Sequence, residues 1–402
     1  MSDRPQLLIA GAGYAGLAAY LAVRRQVQAG VVGVTVVNGD DWHLLLPELP
    51  LYLSGEEDAG DLRLDLHRAV TPPARLVIAQ ISGLDVRRPA VQCAGEPGRL
   101  EGDGLLVALG SISSDFGVPG VAQHALAIGS WADAEHLRER LLVDMESKHP
   151  SSVAVVGAGF TGVEIAAALA ERAQEAGAGL RVTLVGEEVL PPMPPEVRRI
   201  ALEALRRLGV RLMADRASRV DEGQVGLEHG PPLRADTIVW AAGVRANPLL
   251  GQCGLETNKR GQAAVDGHLR AAPRVYCAGD CAAITDPETG RPAAATAQLA
   301  LQEGPGAMLN LLREWQGRPL LQVVPRQRGF LVCLGRSQAA GTVFGARVHG
   351  SEVAVLKRLI ERYHAFQVGG LHALARGLLR GAGSAPAGES TPAAGEAHAS
   401  RA

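Results

Sequence analysis

Several features that define other protein classes are scarce or missing in this sequence of 402 residues. It has five cysteines, an odd number, and no CxxC or CxxxxC spacing, which argues against a disulfide framework, a Cys/His metal site and dithiol chemistry. A net charge of −2 argues against the basic surface of a nucleic-acid-binding protein. No apolar run reaches the ~18 residues of a spanning helix, and residues 1–5 lack the basic and apolar regions of a signal peptide. We therefore expect a protein of the cytoplasm, free or attached to the inner face of the cell membrane, that binds no nucleic acid and no metal.

One unit of strand, glycine-rich turn, helix and strand occurs twice in the sequence. The first copy spans 7–37 and the second spans 153–185, and in each a GxGxxG turn stands between an apolar strand and a predicted helix, over 17–28 and 163–176. In this context the glycines permit a tight turn, the approach of a pyrophosphate and close helix–strand packing, and the helix N-terminus attracts phosphate. The duplication predicts an α/β fold with two Rossmann-like dinucleotide-binding domains. Two such sites in one chain suggest a bound flavin, FAD, and a diffusible nicotinamide, NADH.

Polar residues after the strands are candidates for contact with the two cofactors. Such folds usually place an acid after the second strand, against the ribose hydroxyls. Asn38 stands there in the first copy and can still bond a ribose, whereas the second copy has Glu187 or Glu188, one and two residues later, as the acid. Because no Lys or Arg occurs over 186–196, this carboxylate favours NAD over NADP. Asp280 ends a further strand, where it either accepts hydrogen bonds from the ribityl chain of a flavin or caps a helix.

The candidate cofactor-binding residues lie in the two glycine-rich turns and near the strand ends. They are Gly11, Ala12, Gly13, Tyr14, Ala15, Gly16, Asn38, Gly39, Ile81, Gly110, Asp280, Leu299, Ala300, Gly157, Gly159, Gly162, Glu187 and Gly243.

Several stretches of the chain match a known family in the same order. They are 11–16, 42–44 with Pro47, 108–111, 157–164, 240–245, 279–282 and 297–302, the last of which, AQLALQ, fits an AQxAxQ quinone-site motif. Through them the chain resembles the type II NADH dehydrogenases, single-subunit NADH:quinone oxidoreductases that pump no protons. The resemblance covers roughly 5–345. It implies transfer of a hydride from NADH to FAD, followed by transfer of two electrons to a quinone.

The resemblance also implies roles for three side chains, which the residues alone leave open. Gln298 and Gln302 lie four residues apart, on one face of a helix, and their amides are expected to bond a quinone carbonyl. The alternative is a polar helix face. Glu164 follows the second glycine motif and is expected near the nicotinamide and flavin rings, where it aids proton or hydride transfer. The alternative for Glu164 is a first-turn acid that complements the helix dipole.

The predicted organisation is a flavin domain split by the nicotinamide domain, with a C-terminal α/β extension. The predicted limits are 1–115 and 266–320 for the flavin domain, 116–265 for the NADH domain, 321–380 for the extension and 381–402 for a disordered tail. In the extension we predict strands over 329–334 and 341–348 and a helix over 352–380. Residues 357–380 hold five basic residues against one acidic residue, and an apolar stripe runs through Val353, Leu356, Leu359 or Ile360, Tyr363 and Phe366. This stretch is expected to contact an anionic membrane, pack on the flavin domain or form a homodimer interface.

Three other functions are compatible with two dinucleotide sites. A sulfide:quinone oxidoreductase needs cysteines at the flavin, and none occurs between Cys93 and Cys253. A ferredoxin- or rubredoxin-type reductase would reduce an acidic protein through a basic surface. A non-catalytic NADH-sensing flavoprotein would use the same sites without turnover.

Overall fold

The computed structural model describes residues 4–146, 149–286, 290 and 292–381, with residues 369–381 as backbone only. The strands are β1 (Gln6–Ala10), β2 (Gly33–Asn38), β3 (Trp42–Leu44), β4 (Arg63–Asp65), β5 (Arg75–Ile78), β6 (Ile81–Asp85), β7 (Ala90–Cys93), β8 (Arg99–Glu101), β9 (Gly104–Val107), β10 (Ser111–Ser113), β11 (Leu126–Ala127), β12 (Ser152–Val156), β13 (Arg181–Val185), β14 (Arg211–Met213), β15 (Ala217–Asp221), β16 (Gln224–Leu227), β17 (Leu233–Arg234), β18 (Thr237–Trp240), β19 (Val244–Ala246), β20 (Ala263–Ala264), β21 (Arg270–Ala272), β22 (Val275–Cys277), β23 (Ala282–Ala283), β24 (Gly329–Cys333), β25 (Ala339–Val343) and β26 (Ala346–Gly350). The helices are α1 (Tyr14–Gln28), α2 (Leu49–Leu53), α3 (Ala59–Leu62), α4 (Leu66–Ala69), α5 (Val121–His124), α6 (Trp131–Glu146), α7 (Phe160–Ala176), α8 (Pro195–Arg207), α9 (Leu249–Gln252), α10 (Ala297–Trp315) and α11 (Ser351–Gly381), with 3-10 turns at Leu46–Glu48 and Gly279–Cys281.

Two mostly parallel sheets carry the two copies of the repeated unit. The first has the order β21-β22-β9-β1-β2-β5, with only β21 antiparallel to its neighbour, and the second is β11-β18-β12-β13-β14, all parallel. The central strands β1 and β12 are almost fully buried, as expected for apolar strands that are covered on both faces. The predicted fold class is therefore confirmed.

The helices α1 and α7 begin three residues earlier than the sequence predicts. The second half of each glycine motif forms the first helical turn, because the third glycine packs against the first. A Cβ on Gly16 would lie 1.9 Å from the carbonyl oxygen of Gly11, and one on Gly162 would lie 1.8 Å from that of Gly157. No side chain larger than hydrogen fits at either position, so the strand and the helix meet closely.

The two sheets use different parts of the chain. The first sheet takes its strands from 6–107 and 270–277, and the second takes its strands from 126–240. Strands β10 and β19 pair antiparallel where the chain passes between the two parts. The split arrangement of strands is the one expected, and the exact domain limits stay predictions.

The C-terminal region differs from its prediction in one strand. Instead of a single strand over 341–348, the chain turns at Phe344 and Gly345, so that β24, β25 and β26 form a three-stranded antiparallel sheet. The helix α11 follows at once and places Ala365 and Val368 in the apolar core to which α1 also contributes. Within the described residues, no helix is long and apolar enough to cross a membrane. The tail predicted over 381–402 lies outside the described residues, except for Gly381, which ends α11.

Candidate active site

The first glycine-rich turn is closed by hydrogen bonds and is open on its outer face. The N–H of Gly11 donates to the carbonyl of Val37 at 2.8 Å, and the N–H of Ala12 donates to the side-chain oxygen of Asn38 at 2.9 Å. At Gly11, φ is +99°, a conformation that favours glycine. A Cβ on Gly13 would meet no described atom within 4 Å. This leaves room above the N-terminus of α1 for a phosphate group.

The second turn repeats this geometry. The N–H of Gly157 donates to the carbonyl of Val185 at 2.8 Å, and a Cβ on Gly159 would also meet no described atom within 4 Å. Among the described residues, neither α1 nor α7 has a side-chain N-cap or an acid in its first turn. Their first N–H groups therefore remain available, and each turn fits the pyrophosphate of a dinucleotide.

Three of the predicted residues lie together at the end of β2. The side-chain nitrogen of Asn38 donates to the carbonyl of Asp40 at 2.9 Å, while its oxygen accepts from the turn. Asn38 thus uses both ends of its amide within the protein. Its predicted contact with a ribose stays a prediction. A Cβ on Gly39 would lie 2.6 Å from the side-chain nitrogen of Gln80, the neighbour of Ile81.

Asp280 lies in a cleft with other predicted residues. Its carboxylate accepts a hydrogen bond of 2.6 Å from the hydroxyl of Ser111, the residue after Gly110, and the cleft is also lined by Leu299 and Ala300. Burial raises the pKa of Asp280, and the bond from Ser111 opposes this shift. Asp280 does not act as a helix cap, because the 3-10 turn that contains it begins at Gly279.

A second buried acid, Glu303, lines the same cleft. Its carboxylate accepts the N–H of Gly279 at 2.7 Å, and its side chain is 3% exposed. Burial raises its pKa to about 7, and the nearby Asp280 adds to this effect. Glu303 is not among the residues predicted from the sequence, although it directly follows the AQLALQ stretch.

The two glutamines of that stretch hold a neighbouring segment of main chain. Gln302 accepts the N–H of Arg326 at 3.0 Å and donates to the carbonyl of the same residue at 3.1 Å. Gln298 accepts the N–H of Arg328 at 2.5 Å. The amide of Gln302 is therefore fully engaged, whereas the amide nitrogen of Gln298 has no hydrogen-bond partner among the described residues. The predicted quinone contact of both residues stays a prediction.

Glu164 lies where α7 meets the C-terminal region. It is 7% exposed, accepts the N–H of Cys333 at 2.7 Å and forms an ion pair with Lys357 of α11. Burial is the largest single effect and lowers the pKa of Lys357, but the charge and hydrogen bond of Glu164, together with Cys333 and Glu361 nearby, raise this pKa above its usual value. Glu164 lies beyond the first turn of α7, so its alternative role as a first-turn acid is not observed. Its predicted place beside the two cofactor rings stays a prediction.

Tyr14, the first residue of α1, belongs to a buried cluster of rings. The ring of His364 on α11 stacks on Tyr14 at 4.6 Å between centroids, and the ring of His43 lies edge-on to both. The Nε2 atoms of the two histidines are 3.1 Å apart. Burial lowers the pKa of His43 to about 3 and that of His364 to about 4, so both rings are neutral. This cluster fastens α11 to the first glycine turn.

Three basic residues of α11, for which a membrane, the flavin domain and a second subunit were the open alternatives, have partners within the chain. Lys357 pairs with Glu164, Arg362 pairs with Glu57 at 2.5 Å, and Arg358 donates to the carbonyl of Arg336. These cations therefore face the protein, and the side chains of Arg376 and Arg380 lie outside the described residues. The exposed side of the helix is mostly apolar, with Ser351, Glu352 and Gln367 as its exposed polar residues and with exposed apolar side chains at Val355, Leu356, Leu359, Ile360, Tyr363 and Phe366.

Glu187 lies beyond the end of β13, where an acid is expected at the ribose, but it has a partner that local sequence did not reveal. Arg216 donates to one oxygen of Glu187 from Nη2 at 2.7 Å and from Nε at 3.2 Å. No cation occurs over 186–196, but the fold brings Arg216 to this carboxylate from further along the chain. The distance along the chain concealed Arg216, because β14 brings it back beside β13. The remaining predicted residue, Gly243, has a φ of +141° and lies against the ring of Phe116.

One sequence signal pointed to the contacts of α11 and was overlooked. Lys357, Glu361 and His364 follow at intervals of four and three residues, which places three polar groups on one face of a helix. A polar stripe at this spacing indicates a face that meets a polar partner in the fold.

Comparison with known proteins agrees with this geometry. Residues 5–304 match the pyridine nucleotide-disulphide oxidoreductase family. The chain is 29% identical to the type II NADH:quinone oxidoreductase of Staphylococcus saprophyticus and 28% identical to that of Staphylococcus aureus, with 92% of this chain and 97% of each relative covered. The resemblance found in the sequence is thereby confirmed.

Solved structures share the fold. NDH2 from Plasmodium falciparum, in complex with NADH, superposes with a TM-score of 0.79 at 15% identity, covering 94% of this chain and 97% of that one. The sulfide:quinone oxidoreductase from Aquifex aeolicus superposes with a TM-score of 0.75 at 14% identity, covering 90% and 91%. Since the family match spans about three quarters of the chain, this protein belongs to the pyridine nucleotide-disulphide oxidoreductase family.

Proposed function

We propose that this protein is a flavoprotein that oxidises NADH and passes two electrons to a quinone. The observation that carries the proposal is the pair of open glycine turns, each under an uncapped helix N-terminus, in a chain without a CxxC or CxxxxC dithiol. Two dinucleotides fit these turns, and electrons that enter at one of them need an acceptor other than a protein disulfide. Relatives named type II NADH:quinone oxidoreductases point to a quinone as that acceptor.

The first turn and the Asp280 cleft fit FAD. The open face at Gly13 accepts the pyrophosphate on the N–H groups of α1, and Asp280, held by Ser111, accepts hydrogen bonds from the ribityl chain. FAD, when bound, supplies the chemistry of hydride acceptance from NADH and electron transfer to the quinone. In the second unit, the turn at Gly159 holds the pyrophosphate of NADH and the carboxylate of Glu187 holds its adenosine ribose.

Gln298 and Gln302 divide the work at the quinone site. Gln302 holds the main chain at Arg326 by two hydrogen bonds and so shapes one side of the site. Gln298 keeps its oxygen on the N–H of Arg328, and its amide nitrogen is the donor that remains for a quinone carbonyl. In this proposal Gln298 alone contacts the quinone, whereas the resemblance implied a contact for both glutamines.

Glu164 and Lys357 serve proton transfer where α7 meets the C-terminal region. Reduction of a quinone by two electrons takes up two protons, and a buried ion pair can hold one proton close to a reacting oxygen. Lys357 keeps the charge of Glu164 balanced while that carboxylate is buried. The N–H of Cys333 fixes the orientation of the carboxylate.

The apolar side of α11 attaches the protein to a membrane surface, where a quinone is dissolved. Six large apolar side chains lie exposed on this side, among them Leu359 and Tyr363 at 61% each. A helix with one apolar and one anchored polar face can lie in the membrane interface. A second copy of the chain is the alternative occupant, and sedimentation in the absence of lipid distinguishes the two.

Separate measurement of the two half-reactions tests this function. We expect NADH to bleach the flavin of the purified yellow protein rapidly, and a soluble quinone to restore the colour with steady turnover. Gln298→Ala should slow quinone reduction about 2- to 15-fold, the worth of one neutral hydrogen bond, and leave bleaching by NADH intact. Gln316→Ala, about 27 Å away at the other end of the same helix, is the matched control.

Other outcomes identify the alternatives. A flavin that is bleached by NADH but not reoxidised by quinone would indicate a sensor or a reductase with a protein acceptor. Turnover with sulfide would indicate a sulfide:quinone oxidoreductase. Folded, colourless protein that takes up no FAD would refute the flavoprotein proposal altogether.

A further inference from the structure

An arginine stands at the predicted ribose end of the second dinucleotide site. In dinucleotide-binding folds the adenosine ribose lies beyond the carboxyl ends of the parallel strands. Glu187 follows β13 by two residues and Arg216 follows β14 by three, and these strands are paired in parallel with Val185 opposite Met213. Both side chains therefore reach the same edge of the sheet. They meet there at 2.7 Å.

The main chain that carries Arg216 is firmly held. The buried carboxylate of Asp215 accepts the N–H of Arg216 at 2.7 Å, that of Gly230 at 2.7 Å and that of His229 at 3.2 Å. These bonds tie the start of the loop to a second loop across the sheet edge. The position from which the guanidinium extends is therefore set in advance, while the guanidinium itself is exposed.

The contact between the two side chains is one that a ligand can rearrange. The side chains of Arg216 and Glu187 are 59% and 61% exposed, and exposed ion pairs contribute little to stability. The other partner of Arg216, Glu228, lies at 3.9 Å, beyond hydrogen-bond distance. Arg198 in the neighbouring pair with Glu188 is less available, because its Nε also donates to the carbonyl of Val189 at 3.1 Å.

The two side chains of the pair suit different dinucleotides, NADH and NADPH. A carboxylate accepts the 2′-hydroxyl of NADH and repels a 2′-phosphate, whereas a guanidinium binds a phosphate through a fork of donors. Here both groups stand at one ribose position. NADH can use Glu187 as it stands, and NADPH can bind once its phosphate replaces the carboxylate as the partner of Arg216.

We propose that Arg216 is a binding residue for the 2′-phosphate of NADPH, that Glu187 masks it, and that the protein accepts NADPH as a second, weaker donor. The inference rests on the proposed function only in placing a nicotinamide dinucleotide at the second turn. Neutralising Glu187 releases Arg216 and shifts the preference toward the phosphorylated dinucleotide.

Binding of adenosine 2′,5′-bisphosphate tests this without any electron transfer. Its dissociation constant is measured by calorimetry on the FAD-loaded protein, in the wild type and in Glu187→Gln, Arg216→Ala and the double variant. Glu187→Gln should bind about 10- to 100-fold more tightly, the range of one charge-assisted hydrogen bond, and Arg216→Ala should remove this gain. Glu203→Gln is the matched control, because it breaks an equally exposed pair with Arg199 and should change nothing.

Steady-state kinetics of the same variants provide a second, independent test. The ratio of kcat/KM for NADPH to that for NADH should rise in Glu187→Gln and fall again in the double variant. Unchanged bisphosphate affinity in Glu187→Gln, or a gain that survives Arg216→Ala, would overturn the assignment of Arg216, whereas NADH turnover by the wild type would leave the proposed function standing. If the wild type binds neither NADH nor the bisphosphate, the proposed function itself fails.

Discussion

The ion pair between Glu164 and Lys357 leads to a quantitative prediction about stability. The two side chains are 8% and 13% exposed, so replacing Lys357 with Met leaves a negative charge in the interior. The remaining partner of Glu164 is the N–H of Cys333 at 2.7 Å, which cannot balance that charge. Breaking a buried pair from one side costs about 3–5 kcal/mol, and we expect Lys357→Met to lower the free energy of unfolding by that amount.

Removing both charges should cost much less than removing one. In Glu164→Gln with Lys357→Met, the amide oxygen of residue 164 can still accept the N–H of Cys333, and no charge remains buried. Because replacing a whole buried pair with neutral groups is often close to neutral, we expect a loss of about 1 kcal/mol or less for the double variant. The two single variants should therefore be strongly non-additive.

Urea unfolding of the FAD-loaded protein measures these values through a double-mutant cycle. Lys259→Met is the matched control, because Lys259 is exposed in a turn and its loss should change the free energy of unfolding by less than about 0.5 kcal/mol. If Lys357→Met behaves like Lys259→Met, or if the double variant is as unstable as the single one, the ion pair is not buried and α11 does not close over α7 as described.

Three further outcomes follow from other parts of the structure. The pKa of Glu303 is raised to about 7, so the stability that this group contributes is present below about pH 4.3 and lost as the pH rises to 7. The free energy of unfolding of Glu303→Gln in urea should therefore gain about 3 kcal/mol relative to the wild type between pH 4.5 and 8. Parallel pH profiles of the two proteins would contradict this. The pKa of His364 is lowered to about 4, so the stability linked to this residue is lost as the pH falls. His364→Phe keeps a ring on Tyr14, and its free energy of unfolding should fall by about 2 kcal/mol less than that of the wild type between pH 6.5 and 5. An equal fall in both proteins would refute the burial of this histidine. Leu359→Asp should weaken binding to anionic lipid vesicles at least about 10-fold in a sedimentation assay, whereas Val143→Asp, at the same 61% exposure on α6, should not; equal effects would exclude α11 as the membrane contact.

The parts of the fold that were predictable are those in which neighbouring residues act on each other. A buried parallel strand reads as an apolar run, and the turn between β1 and α1 needs glycine because a Cβ at Gly16 would meet the carbonyl of Gly11. These constraints are local, so the two dinucleotide units were visible in the sequence, whereas Asp280, expected at the end of a strand, lies in the 3-10 turn that follows β22. The start of α1 was misjudged by three residues, since glycines within a motif conceal a helical turn.

The site depended on contacts between residues far apart in the chain. Lys357 meets Glu164 across 193 positions and His364 meets His43 across 321. A charge count cannot tell an exposed cation from one that turns inward, because the difference lies in which face of α11 packs on the protein.

The sequence by itself determined the two dinucleotide-binding units, because their turns obey steric rules within a few residues. Only the tertiary structure decided how the polar side chains around them are used. It engaged Gln302 with Arg326, placed Arg216 on Glu187 and turned the cations of α11 toward the interior. The physical reason is that a charge or an amide takes the partner that the packing of distant elements brings within about 3 Å, and no local pattern encodes that distance.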